Sequence, residues 1–342
     1  MLSTDLLLIA VILTALIFIL TNGLHDASSV VATLIACGAA NPVQAVCLAA
    51  VFGFLGAVTS GSAVANTIAT VVAVPTEAPL LTVLLAGLIG AVLWNLATWQ
   101  FGLPSSSTHA LIGGVVGAVW ASRGADYILW GWSELLGRNH QLIGIAKIIA
   151  ALLLSPLMGL AVAFVLQKTA NFLLRNADFR INIWLKRLQW LIAALLAYSH
   201  GGNDTQKMVG IIMLALAAAS YPAGAVAPVW INAVGGGVMF AGTLLGGWSI
   251  VKTIGRGIYT IRPIHSLNSQ LASGGSIILA TLLGAPVSTT HVVVGSVAGV
   301  GSADEFRMVN WQIGKEIIIA WIITMPASGV AAALVYYLLL LI

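Results

Sequence analysis

The chain has 342 residues, of which 60% are hydrophobic and only 7% are Asp, Glu, Lys or Arg, with a mean hydropathy of +1.04. Soluble domains carry about 25% charged residues, so a water-soluble fold is excluded. The net charge of +4 comes from 14 basic and 10 acidic residues spread through apolar sequence. Nucleic-acid binding needs basic residues gathered on one solvated face, so nucleic acid is not a partner.

A spanning helix takes roughly 20 apolar residues, so the length allows roughly 10–12 membrane segments in one integral membrane domain. The first, residues 5–20, has no Lys or Arg before it and no small-residue cleavage site after it, and reads as a retained helix rather than a signal peptide. Directly after it comes NGLHDASS, which sets His25 and Asp26 between apolar runs. A carboxylate at the centre of a membrane helix costs at least about 2.5 kcal/mol, which makes Asp26 a functional candidate. The Asn22-Gly23 step predicts a break in the helix there, with the acid capping the amides that the break exposes. Cys37 and Cys47 are too few for a disulfide framework and lack metal-ligand spacing. They receive no function.

Next come SGSAVANTI, residues 60–68, and a loop carrying Glu77 and no basic residue. LPSSSTHALIGGVVG, residues 103–117, is the most specific string. Pro104 ends one helix, and Ser105, Ser106, Ser107 and Thr108 stand at the start of the next, ahead of His109. A helix N-terminus offers unpaired N–H groups and partial positive charge to a tetrahedral anion, and hydroxyls add donors. Gly144, Pro156 and Gly159 punctuate the apolar stretch that follows.

Residues 168–187 hold Lys168, Arg175, Arg180, Lys186 and Arg187 against Asp178 alone. The positive-inside rule predicts that this linker is cytoplasmic. The N-terminal tip, with Asp5 and no basic residue, then lies outside, and an odd number of crossings precedes residue 168.

Beyond the linker the landmarks return in order. SHGGNDTQK, residues 199–207, places Asn203 and Asp204 where the first half has His25 and Asp26, after a second candidate break at Gly201-Gly202. Lys207 stands three residues after Asp204 on the same helix face, so the two are expected to pair. GGWSIVKTI, residues 246–254, leads into a loop whose Lys252, Arg256 and Arg262 contrast with Glu77 of the first half. APVSTTHVVVGSVAG, residues 285–299, repeats the hydroxyl string as Pro286, Ser288, Thr289, Thr290 and His291. Gly314, Pro326 and Gly329 then answer Gly144, Pro156 and Gly159.

This is internal duplication, and the odd crossing number with opposite loop charge predicts that the copies are inverted. The fold expected is an all-α polytopic membrane protein of two inverted-topology repeats, with broken or re-entrant helices. Residues 1–167 form the first repeat, 168–187 the linker and 188–342 the second repeat. A Ser–His hydrolase is the rival from another class, but neither GxSxG nor HExxH is present. A channel fits paired buried acids less well than a coupled carrier does. His109 and His291 are expected to be neutral residues of the bundle, and no cofactor or metal site is indicated.

The strings SHGGNDTQKMVGII and APVSTTHVVVGSVAG resemble the inorganic phosphate transporter (Pit) family, and the resemblance runs along nearly the whole chain. It implies symport of inorganic phosphate with H⁺ or Na⁺ across the inner (plasma) membrane, at a midplane site shared by both repeats. Asp26, Ser105, Ser106, Ser107, Thr108, Asn203, Asp204, Ser288, Thr289 and Thr290 would bind phosphate, and His25, Asp26, Asp204 and Lys207 would couple the ion. His25, Ser29 and Lys207 stand where the sodium-coupled form commonly has Asn, and Lys supplies only donors where Na⁺ wants oxygen ligands. The variants NGxHD and NDxQK are similar to bacterial low-affinity, proton-coupled members. Sodium coupling, sulfate transport, a metal–phosphate complex as substrate and a homodimeric assembly stay open at this level.

Overall fold

The computed structural model describes residues 3–72, 78–103, 105–137, 140–221, 227–246, 251 and 253–341. Glu77, Pro104 and Lys252 of the strings above lie outside these residues. In the first half α1 spans Thr4–Ala36, α2 Pro42–Thr59, α3 Ala63–Ala69, α4 Ala78–Gln100, α5 Ser107–Arg123, α6 Trp132–Leu136 and α7 Gly144–Leu173. In the second half α8 spans Ile181–Ala218, α9 Val229–Leu245, α10 Pro263–Leu282, α11 Thr289–Glu305 and α12 Trp311–Leu339. Among the described residues the one β-type pairing is an isolated bridge between Val72 and Ile128.

Local chemistry sets the helix starts. Asn41 before Pro42 and Gln44 after it form a reciprocal capping box, with Gln44 N donating to Asn41 Oδ1 at 2.9 Å. Ser106 and Ser288, one in each hydroxyl string, are the N-caps of α5 and α11. Among the described residues α1, α2, Leu80–Gln100 of α4, α7 and α12 are long and apolar enough to cross a membrane. The apolar windows of α7 and α12 are only 28% and 22% buried against 67% for α4, so α7 and α12 face lipid and α4 lies inside.

Two expectations change. Helices α1 and α8 run unbroken through Asn22-Gly23 and Gly201-Gly202. The glycines are contact points rather than breaks: a Cβ on Gly23 would sit 2.6 Å from Met239 O on α9, and one on Gly201 would strike Gly53 O on α2. Close backbone approach repays the helix cost of glycine in a membrane bundle. Asp26 and Asp204 therefore cap no helix; both project from the middle of a continuous one. The basic linker is also shorter than its charges imply, because α7 extends to Leu173 and α8 begins at Ile181, leaving a turn over 174–180.

The halves complete one another. The first helix of each packs on the second helix of the other, α1 on α9 and α8 on α2. The last helix of each, α7 or α12, packs on the hydroxyl-string helix of the other, α11 or α5. Gly295 touches Pro156 O and Gly113 touches Met325 O in these two seams. The inner ends of the loops α4–α5 and α10–α11, with the helix starts that follow them, lie inside the bundle at the level of Asp26 and Asp204.

Candidate functional site

Four segments meet there: the middles of α1 and α8, and the inner ends of the two loops, buried at Ser105, Ser106, Val287 and Ser288, with the first turns of α5 and α11. His25, Asp26, Ser105, Ser106, Ser107, Thr108, Asn203, Asp204, Lys207, Ser288, Thr289 and Thr290 are all buried. Every site residue named from the sequence thus falls in one polar centre.

Asp26 joins the halves. Its Oδ1 accepts from Thr290 Oγ1 of the second half at 3.0 Å and lies 2.9 Å from His25 Nδ1. Its Oδ2 accepts from Ser107 Oγ of the first half. The other ring nitrogen of His25 is 3.2 Å from the carbonyl oxygen of Leu103. Ser105 Oγ is 3.4 Å from that nitrogen, so Asp26, His25 and Ser105 stand in the order of a hydrolytic triad. The Ser105 hydroxyl donates to Thr98 Oγ1 at 2.8 Å instead, so His25 is not placed to take its proton.

Lys207 answers Asp26 from the second half. Its ammonium donates to Asp204 Oδ1 at 2.6 Å, as the i, i+3 spacing predicts, to Thr108 Oγ1 at 2.6 Å and to Val287 O at 2.7 Å. Thr108 passes its own hydrogen to Val287 O at 3.1 Å. Asn203 holds the second loop, donating to Thr281 Oγ1 at 2.9 Å and Ala285 O at 3.2 Å and accepting from Val287 N at 3.3 Å. His200 Nδ1 lies 3.1 Å from Thr289 Oγ1 and 3.3 Å from Asp204 Oδ2. Only the Thr289 contact has hydrogen-bond geometry, which leaves Asp204 Oδ2 fully buried without a donor among the described residues.

Ser106 and Ser288 differ from the other hydroxyls. Their oxygens accept from His109 N at 3.2 Å and His291 N at 3.4 Å, and among the described residues neither hydroxyl hydrogen is used. They are the donors most free to meet an anion. His109 and His291, just beyond, bring their rings together at a centroid separation of 4.6 Å, and His291 stacks on Trp321 at 3.5 Å.

Sequence reasoning missed His200 and Thr98. His200 stands four residues before Asp204, so helical spacing alone could have found it. Thr98 lies in apolar sequence of α4 and reaches the centre only through the tertiary fold.

Residues 22–332 match the phosphate transporter family. The probable low-affinity inorganic phosphate transporter of Bacillus subtilis (strain 168) is 38% identical over 336 residues, which is 97% of each chain. The protein of the same description from Rhizobium meliloti (strain 1021) is 37% identical over 335 residues, 97% of this chain and 96% of that one. Among solved structures, the sodium-dependent phosphate transporter aligns with a TM-score of 0.85 at 25% identity, covering 98% of this chain and 99% of that one. A family match spanning most of the chain, close relatives over nearly its full length and a shared fold lead to one conclusion: this chain belongs to the phosphate transporter family, a family of membrane carriers rather than enzymes.

Proposed function

We propose that the protein is a symporter of inorganic phosphate and H⁺ in the inner (plasma) membrane, with its substrate site at the centre just described. Phosphate is bound by the free hydroxyls of Ser106 and Ser288, the first-turn amides of α5 and α11, and one oxygen of Asp204. The two repeats are inverted, the turn over 174–180 is cytoplasmic, and rocking of the halves exposes the site to each side in turn. Because Thr290 bonds Asp26 across the halves, such a motion exchanges that bond for bonds to substrate.

The observation that favours H⁺ is the setting of His25. Its Nδ1 faces a carboxylate oxygen and its Nε2 faces a carbonyl oxygen. A second proton on the pair, as an imidazolium beside a carboxylate or a neutral ring beside a carboxylic acid, satisfies both of these oxygens at once, while the Thr98 and Ser105 hydroxyl oxygens at 3.5 and 3.4 Å from Nε2 can serve the ring when that proton leaves. A neutral ring beside an ionised Asp26 holds one fewer. The His25–Asp26 pair is thus a place to load and unload one proton next to the substrate site.

Proteoliposomes test both parts. An inward proton gradient in Na⁺-free buffer is expected to drive accumulation of labelled phosphate, and internal unlabelled phosphate to accelerate counterflow. Strict dependence on Na⁺ sinks the coupling; counterflow of no phosphate sinks the carrier. In the same assay Ser106→Ala and Ser288→Ala are expected to raise KM about tenfold or more, because each lost hydrogen bond to a charged group is worth about 1.5–3 kcal/mol. An unchanged KM in well-expressed variants reduces both serines to caps.

A further inference from the structure

The Lys207 ammonium is completely buried and donates to three oxygens of three chemical kinds: the Asp204 carboxylate, the Thr108 hydroxyl and the Val287 carbonyl. These come from α8, from the first turn of α5 and from the loop before α11, so both halves contribute. An ammonium has three donors and no acceptor, and all three are spent. It has nothing left to offer an anion.

Hard oxygen donors of this mixture, a carboxylate with neutral hydroxyl and carbonyl oxygens, are also what a bare alkali cation takes up. We propose that this is a built monovalent-cation site whose cation is the chain's own tethered ammonium, and that Lys207 thereby decides which ions the carrier can use. The inference rests on the reading of this centre as the ion-coupling site. With the site permanently filled, no free cation has to bind before the halves close over Thr108 and Val287, and the mobile charge is left to the proton of His25–Asp26. Ser29, which stands in α1 where Lys207 stands in α8, donates to Asp26 O at 2.6 Å and carries no charge, so the device belongs to the second half alone.

Removing the ammonium while leaving the oxygens makes the site available to a free cation. Lys207→Ser is expected to unfold at a lower temperature than the unaltered protein in choline chloride, because Asp204 loses its counter-charge. NaCl, KCl or LiCl at equal ionic strength is expected to restore roughly 2 °C or more in a saturable way, as a ligand bound only by the folded state does. Lys207→Met, whose side chain still fills the space, and the unaltered protein are expected not to respond. Lys207→Ala carries the same expectation and takes the place of the serine variant if that chain does not fold. A folded serine or alanine variant indifferent to all three cations overturns the proposal, as does an equal response from the unaltered protein. The measurement is made without phosphate and involves no uptake. A Na⁺-driven unaltered carrier thus sinks the proton reading separately, while the cation response of Lys207→Ser decides this one.

Discussion

Sulfate in large excess is expected to leave phosphate uptake nearly untouched. The two anions share a shape, but near neutral pH phosphate keeps at least one proton and sulfate keeps none. Asp204 Oδ2 is a fully buried carboxylate oxygen that receives no hydrogen bond from the described residues. It can accept from a phosphate hydroxyl, whereas against sulfate it meets only negative charge. A site built to hydrogen-bond a substrate hydroxyl rejects an analogue lacking it by roughly 10⁴-fold. Replacing the acid by an amide, which can turn a donor towards either anion, is expected to erode that ratio. Competition of labelled phosphate uptake by sulfate measures it directly. Sulfate carried as readily as phosphate, or selectivity intact without the carboxylate, means that Asp204 does not read the substrate's proton.

The Asp204–Lys207 pair is the second place where a large effect is expected, this time on stability. Breaking a buried ion pair by removing one partner costs about 3–5 kcal/mol, because the other charge is left uncompensated. Asp204→Asn and Lys207→Met are each expected to lower the unfolding temperature in detergent by several degrees. The double variant loses both charges together, so its loss is expected to be clearly smaller than the sum of the two single losses. Strict additivity would mean that the 2.6 Å contact carries no coupling. The double variant is also the background for the selectivity measurement, since it removes the carboxylate without stranding an ammonium.

Several parts of this centre were legible in the sequence because they are local. The pairing of Lys207 with Asp204 follows from a three-residue spacing, and the Ser106 and Ser288 caps follow from hydroxyls placed ahead of an apolar helix. Duplication exposed both strings at once. The error at Asn22-Gly23 and Gly201-Gly202 has a physical origin, for glycine beside a polar residue carries the same local signal as a break and as a helix contact. What decides is the backbone across from it, Met239 O on α9 and Gly53 O on α2, which no local pattern reports. Thr98, the Leu103 and Val287 carbonyls and the bond from Thr290 to Asp26 were out of reach for the same reason. Each joins residues far apart in the chain, brought together by helices that cross between the halves.

That crossing has a consequence for how the protein is made. When α1 leaves the ribosome and enters the bilayer, its glycine face awaits α9 and its Asp26 awaits Thr290, both still untranslated. The early helices must therefore wait in lipid with their contact faces open and a polar pair unshielded, at the cost that such residues carry there. Assembly of the first half cannot finish on its own schedule. It is tied to synthesis of the second half, because α9 must reach α1 and α12 must reach α4 and α5 before the first half's faces are covered.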